Sequence, residues 1–140
     1  MSPPVERALR GILDTSTVLR LSQIGDPMLL PEEPVITTVT LAELSAGPLL
    51  ATDDRERSAR QGHLQQAEAD FEPLPFDAAA ARAFGRVAAA LRQAGRKPAA
   101  RSYDAMIAAM AITADLPLYT CNPQDFAGIE GLEVVAVPVP

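Results

Sequence analysis

The sequence predicts an α/β fold in which a mainly parallel central sheet is covered by helices on both faces. Short β-branched and aliphatic runs alternate with longer stretches of helical periodicity, which is the pattern that parallel sheets produce. The chain has 140 residues, of which 48% are hydrophobic, so a domain of this size can bury a packed core. No internal repeat or linker is visible, and we expect a single domain over residues 1–140.

The first strand and helix are predicted around an aspartate. Gly11, Ile12, Leu13 and Asp14 form a short apolar run that ends at an acid. A helical pattern continues through residue 24, with Thr15 or the serine after it as the predicted N-cap. This order predicts a strand that leads directly into a helix.

The next segment alternates in the same way. Residues 34–39 are β-branched and begin at proline, which favours a second strand. Thr40 and Glu43 have the spacing of a capping box, so the following helix is expected to begin at Thr40. Residues 53–69 are polar and suit a solvated helix, and residues 71–76 are a third strand candidate that its two prolines limit to an edge.

The second half of the chain contains two further helices and two further strands. A helix begins at Asp77 and should end near Gly95 and Pro98. The segment after it is apolar nearly all round, which predicts a buried helix. The remaining predicted elements are the buried helix over residues 103–112 and strands over 116–120 and 132–137.

Four acidic side chains are predicted to meet at one edge of this sheet. Asp14 ends the first strand, and Glu43 lies near the start of the helix that follows the second strand. Asp104 opens the buried helix, and Asp125 follows the strand over residues 116–120, with Asn122 between them. Chemistry collects at the carboxyl ends of parallel strands, so these side chains are candidates for one site.

Such a cluster favours a hard metal ion. Two carboxylates about 5 Å apart repel by roughly 3 kcal/mol at an effective dielectric near 20, so a cation or a proton has to offset the charge. Oxygen ligands select magnesium or manganese. These ions can activate water and stabilise a phosphate under attack, which makes phosphodiester hydrolysis the reaction that best uses the cluster.

Each acid also has a purely structural interpretation. Asp14 can cap a helix, and Glu43 can be the reciprocal half of the capping box. Asp104 suits the helix dipole at an N-terminus, while Asp125 and Asn122 are ordinary turn residues. The joint placement of the four at one edge favours the site.

The motifs resemble a known family. Four ordered segments are similar to those of the PIN domain, and more narrowly to VapC-type toxins of bacterial toxin–antitoxin pairs; they are residues 12–16, 40–44, 101–109 and 120–126. The resemblance covers about residues 11–137. It implies a PIN-like three-layer α/β/α sandwich and an endoribonuclease that depends on Mg²⁺ or Mn²⁺. It also implies a homodimer, and a cognate antitoxin that silences the nuclease and suits the acidic charge of this chain.

The resemblance also assigns roles to individual residues. A small hydroxyl residue after the first acid, Ser16 or Thr15, is expected to orient that carboxylate. Asn122 is expected beside the site, and Arg101 is the best basic candidate for holding RNA phosphate. The four acids that match the catalytic and metal-binding positions are Asp14, Glu43, Asp104 and Asp125.

The chain departs from its relatives in two ways. Residues 1–10 precede the first strand as an N-terminal extension, where many relatives begin almost at the strand. Cys121 stands where relatives often carry a basic residue. As the lone cysteine it can form no intramolecular disulfide, which fits a reducing compartment.

Charge and terminal composition bear on location and partners. The formal net charge of −6 argues against a general electrostatic grip on nucleic acid. The arginines between residues 82 and 101 either contact RNA or form a solvated helix face. His63 is expected on the surface, far from the acids. The charged, proline-containing start lacks the apolar stretch of a signal peptide, and no long apolar window follows, so we expect a cytoplasmic protein.

Two other functions compete with the nuclease. A PIN-fold binding module would keep the fold without useful catalysis, but the intact acidic set argues against it. A phosphatase of the haloacid-dehalogenase type carries Asp-x-Asp-x-Thr after the first strand. Here Ser16 occupies the position of the second acid, which argues against this alternative.

Overall fold

The computed structural model describes residues 7–96 and 102–139. A parallel sheet of four strands runs through its centre in the order β2-β1-β3-β4. Ile12 of β1 pairs with Val35 of β2 on one side and with Leu118 of β3 on the other. The strands are β1 (Arg10–Leu13), β2 (Glu33–Val35), β3 (Leu118–Thr120) and β4 (Val134–Ala136).

Helices connect these strands and pack on the sheet. Short 3₁₀ turns lie between them, at residues 21–23, 27–29, 48–50 and 123–126. Within the described ranges, every helix is too short or too polar to cross a lipid bilayer. The α-helices are α1 (Thr15–Leu19), α2 (Thr38–Ala46), α3 (Asp54–Asp70), α4 (Ala78–Gln93) and α5 (Ser102–Ala114).

The sheet is covered on both faces, as predicted. Successive residues of a strand point to opposite faces, and here they enter different apolar clusters. Ile12 and Leu118 pack in a cluster with residues of α4 and α5, whereas Leu13 and Tyr119 pack in a second cluster with residues of α1 and α3. The result is the expected three-layer α/β/α sandwich.

The apolar helix near the C-terminus is buried, as its composition predicted. α5 has apolar residues on all sides, so no single face is left for solvent. Its fully buried side chains are those of Ala105, Ile107, Ala108, Ala109, Met110 and Ala111.

Four local predictions were wrong. The second strand was expected over residues 34–39, but it ends at Val35, and residues 38 and 39 belong to α2. Asp14 is itself the N-cap of α1, in place of Thr15 or the serine after it. α2 begins at Thr38 because the hydroxyl of Thr37 accepts the amide N–H of Thr40, so Thr40 lies inside the first turn. Residues 71–76 form no strand, and a single bridge joins Leu74 to Thr37. The prolines at positions 73 and 75 lack the N–H groups that a longer ladder needs.

Gly11 is fixed by the packing between neighbouring strands. A Cβ atom at Gly11 would lie 2.6 Å from Cε1 and 2.8 Å from Cδ1 of the buried Tyr119 ring. Gly11→Ala is therefore expected to lower the free energy of unfolding by about 1–3 kcal/mol. Urea denaturation measures this change. Gly62→Ala is the matched control, since Gly62 lies in α3 with open space around it, and this substitution should not destabilise.

Candidate active site

The candidate site lies at the carboxyl edge of the sheet, between its two central strands. Asp14 directly follows β1, and Thr120 is the last residue of β3. The strand order reverses between these two strands, because β2 lies beyond β1 and β4 beyond β3. Ligands of open parallel sheets bind at such a reversal.

The Asp14 carboxylate is buried, with 3% of the residue exposed, and it is surrounded by hydrogen-bond donors. The amide and hydroxyl of Thr17 donate to Oδ1 at 3.0 and 2.8 Å. The Thr120 hydroxyl donates to Oδ2 at 2.6 Å, and the Ser16 hydroxyl lies 2.8 and 2.9 Å from the two oxygens. Donors to an ionised carboxylate stabilise the charge and fix its orientation.

Thr17 and Thr120 are positioning residues that the sequence did not single out. Both are fully buried, and Thr120 also accepts the backbone N–H of Asn122, which connects Asp14 to the loop after β3. The signal for them is weak in sequence, because threonine is also common in buried strands and at helix starts. Ser16 takes the orienting position expected for the hydroxyl after the first acid.

Glu43 lies one turn further into α2 than the capping-box interpretation required. The Thr15 hydroxyl donates to Glu43 Oε1 at 2.7 Å. Thr15 Oγ1 also lies 3.0 Å from the hydroxyl oxygen of Thr40. Because the single hydroxyl proton of Thr15 is already donated to Glu43, Thr40 is the donor in this second hydrogen bond. Glu43 is therefore held by a chain of two hydroxyls. Its carboxylate does not cap the helix, so the capping-box interpretation of this acid was wrong.

Asp14 and Glu43 interact electrostatically. Burial raises the pKa of Glu43 above its ordinary value of 4.5, the hydrogen bond from Thr15 opposes the rise, and the negative charge of Asp14 adds to it. Both acids thus share one anionic environment at the edge of the sheet. Ionised Glu43 costs free energy there unless a cation offsets the charge.

The other predicted acids lie on elements that flank this pair. Asp104 is half-buried in the first turn of α5, which packs against α2. Asp125 is half-buried in the 3₁₀ turn after β3, and Asn122 is the N-cap residue of that turn, although its side chain makes no capping hydrogen bond. Among residues 7–96 and 102–139, no three His, Cys, Asp or Glu side chains are close enough to share an ion. The roles of Asp104 and Asp125 as ligands stay predictions, and Arg101 lies outside the described residues.

The donor set fits a hydrated magnesium or manganese ion. Mg²⁺ usually keeps several waters and takes one or two protein carboxylates, which Asp14 and Glu43 supply. The donors around Asp14 already fill most of its acceptor positions. Ser16 is half-buried while Thr17 and Thr120 are fully buried, so Ser16 is the donor that a cation could displace most easily.

The loop that carries Asp125 is fastened to the end of α4. Arg96 donates from Nη2 to the carbonyl of Gln124 at 2.9 Å and from Nη1 to the carbonyl of Asp125 at 3.1 Å. Phe126, the last residue of the turn, is buried in the core beside α5. These contacts fix the backbone of the fourth acid.

A cavity of about 220 Å³ opens beside the acid pair. Thr15 and Glu43 form one part of its wall, Leu19 and Leu44 another, and Arg60 and His63 of α3 a third; Gly47 completes the lining. The prediction that His63 lies far from the acids is therefore wrong. α3 folds back beside α2, and this long-range packing has no signal in the polar sequence of α3.

The chain is similar in sequence to proteins of known family. The PIN domain family matches residues 12–132. Ribonuclease VapC5 of Mycobacterium tuberculosis is 38% identical over 130 residues, which span 91% of this chain and 93% of that protein. Ribonuclease VapC8 of the same species is 34% identical over 101 residues, which span 72% and 89%.

Solved structures agree with the sequence relatives. The crystal structure of VapBC-5 from M. tuberculosis, a member of the VapBC family of toxin–antitoxin systems, superposes with a TM-score of 0.74 at 36% identity. The match covers 92% of this chain and 99% of that chain. The buried, hydroxyl-held Asp14 beside Glu43 lies within the matched residues. The chain therefore belongs to the PIN-domain family, and within it to the VapC proteins.

Proposed function

We propose that this protein is the endoribonuclease toxin of a toxin–antitoxin pair and that it hydrolyses RNA phosphodiester bonds with a divalent cation as cofactor. The observation that carries the proposal is the Asp14–Glu43 pair, a buried carboxylate fixed by four donors beside a second one whose pKa is raised. The names of the relatives, which are ribonucleases, support the reaction class.

The residues of the site would act by holding two negatively charged carboxylates in fixed positions. Asp14 and Glu43 would hold the cation, with Mg²⁺ or Mn²⁺ favoured by their oxygen donors. When bound, such an ion supplies activation of water and stabilisation of the phosphate under attack. Thr17 and Thr120 keep the Asp14 carboxylate in one orientation, and the Thr40–Thr15 hydroxyl chain does the same for Glu43. Preorganised groups of this kind lower the cost of reaching the transition state.

Asp104 and Asp125 are proposed as the further ligands of the site. Asp104 lies in the first turn of α5, and Asp125 lies in the loop that Arg96 holds. Asn122 and Arg101 are proposed as auxiliary residues of the reaction.

The proposed partners are RNA, a cognate antitoxin and a second copy of this chain. The related VapBC-5 structure belongs to the VapBC family of toxin–antitoxin systems, which supports the antitoxin. The net charge of −6 suits a partner with basic residues near the acids. The homodimer follows from the resemblance to the family.

An RNA cleavage assay tests the proposed reaction. The purified protein, freed of antitoxin, should cut a fluorogenic oligoribonucleotide with Mg²⁺ or Mn²⁺ at millimolar concentration, and a chelator should stop cleavage. No cleavage with any divalent ion would instead support the PIN-fold binding module.

Thermal melting tests the shared cation site without relying on activity. Mg²⁺ or Mn²⁺ should raise the melting temperature of the parent protein, because the ion binds only the folded state. Asp104→Asn should reduce that gain, since it removes one proposed ligand. Asp115→Asn is the matched control, because Asp115 is exposed just after α5 with a positive φ that asparagine also accepts. If the ion raised the melting temperatures of Asp104→Asn and of the parent equally, Asp104 would not be a ligand of the site.

A further inference from the structure

The cavity beside the acids has a polar side chain that the chemistry described so far does not use. His63 is half-buried, and within the described part of the chain it makes no hydrogen bond. It is also the only histidine of the protein. His63 lines the same cavity as Thr15 and Glu43. A half-buried ring that lines a cavity and makes no hydrogen bond to the described residues is available to a ligand.

The wall around His63 is braced. Arg60, one turn before His63 on α3, donates to the carbonyl of Gly47 at 2.9 Å and pairs with Glu56. Glu56 in turn accepts the hydroxyl of Thr52 at 2.8 Å, and hydrogen bonds from the Thr52 hydroxyl and amide lower the pKa of Glu56. α3 is thus fastened to the turn after α2, so the cavity is a preformed space, as small-molecule sites usually are.

The remaining walls are apolar and the cavity extends away from the acids. Leu19 and Leu44 line it together with Glu43 and His63. A second cavity of about 230 Å³ begins at Leu19 and His63 and continues between α1 and α3 past Phe71. The two cavities therefore share Leu19 and His63, and only the first of them has Thr15 and Glu43 in its lining.

We propose that this cavity binds the nucleobase of the nucleotide next to the scissile phosphate and that His63 contacts this base. The inference rests on the proposed nuclease function. An RNA strand whose phosphate lies at Asp14 and Glu43 has to place a neighbouring base within one nucleotide of the acids, and the cavity shares Glu43 and Thr15 with that position. Single-stranded RNA is recognised by stacking unpaired bases on histidine or aromatic rings and by hydrogen bonds to base edges. Apolar walls with one imidazole supply both.

The charge of the chain favours a base over a phosphate as the occupant. Arg60 is already paired with Glu56, and Glu43 at the other wall is acidic, so a second phosphate would meet no uncommitted cation among the lining residues. An uncharged base has no such cost. The side chain of His63 thereby becomes a specificity determinant for the base beside the cut.

Steady-state cleavage by His63→Ala tests the proposal. With an oligoribonucleotide that the parent cuts, we expect KM to rise about tenfold and kcat to stay within about twofold, as loss of one stacking contact predicts. His63→Phe should restore KM if the ring face carries the contact, and His63→Asn should restore it if the ring edge does. Gln61→Ala, at an exposed position of the same helix, is the matched control and should behave like the parent.

An abasic substrate shows whether the contact is direct. Removing the base beside the cleavage position should raise KM for the parent. With this abasic substrate, His63→Ala should then cause no further rise in KM. Fluorescence anisotropy with the same RNA, in an Asp14→Asn background that leaves it uncut, should show the same loss of affinity. Melting curves of the variants confirm that the fold is intact.

The outcomes separate this inference from the proposed function. If the parent fails to cut RNA, the nuclease assignment is overturned and this inference with it. If the parent cuts RNA and His63→Ala has unchanged KM, only the base pocket is overturned. If His63→Ala left KM unchanged but weakened antitoxin binding, the base pocket would also be overturned, because the cavity would then bind the antitoxin.

Discussion

Asp14→Asn is expected to reduce RNA cleavage by more than about a hundredfold. Substitution of groups that merely orient a metal ligand costs about 10–100-fold, and this substitution removes the charge of a proposed ligand itself. Asparagine is nearly the same size, but it has one acceptor oxygen where Asp14 accepts from Ser16, Thr17 and Thr120. Initial rates with saturating Mn²⁺ measure the loss.

A matched aspartate separates catalysis from helix capping. Asp26 also caps a short helical turn, where it accepts the backbone N–H of Met28, but Asp26 is exposed and is none of the four proposed site acids. Asp26→Asn should therefore leave the cleavage rate unchanged. If Asp14→Asn kept a rate close to that of the parent, Asp14 would be a structural cap only.

The architecture could be predicted because it depends on local pattern. β1 and β3 are short, largely apolar runs; Asp14 directly follows β1, and Thr120 is the last residue of β3. The parallel sheet, its two covered faces and the buried α5 all follow from the alternation of such runs with helical stretches. The pairing of Asp14 with Glu43 followed from the same topology.

Features that depend on side-chain competition or distant packing could not be predicted. Two threonines, at 37 and 40, both suit an N-cap and both are fully buried, but their hydroxyls have different partners: that of Thr37 accepts the amide N–H of Thr40, and that of Thr40 lies 3.0 Å from the hydroxyl of Thr15. The β1–β3 pairing brings Thr120 to Asp14 across 106 positions of sequence, whereas Thr17 reaches Asp14 within the first turn of α1. His63 reaches the cavity only because α3 packs on α2.

Glu43→Gln should abolish most cleavage and yet stabilise the metal-free protein at neutral pH. Burial and the charge of Asp14 raise the pKa of Glu43 above 4.5, although Thr15 opposes this, so the folded protein holds this proton more tightly than the unfolded chain does. Stability of the parent therefore falls as pH rises from about 4.5 through the folded-state pKa, and the penalty is fully present above it. Glutamine carries no charge, and its oxygen still accepts the hydroxyl of Thr15.

The measurement is the melting temperature in chelator as a function of pH. Glu43→Gln should melt a few degrees higher than the parent at neutral pH, and the difference should disappear below pH 4.5, where the parent carboxyl is protonated in both states. Added Mg²⁺ should reverse the order, because only the parent gains from binding the ion. Glu68→Gln removes the same charge from an exposed position of α3 and should change neither curve. A Glu43→Gln protein less stable than the parent in chelator would show that the carboxylate is held by compensating contacts and is no strained part of a cation site.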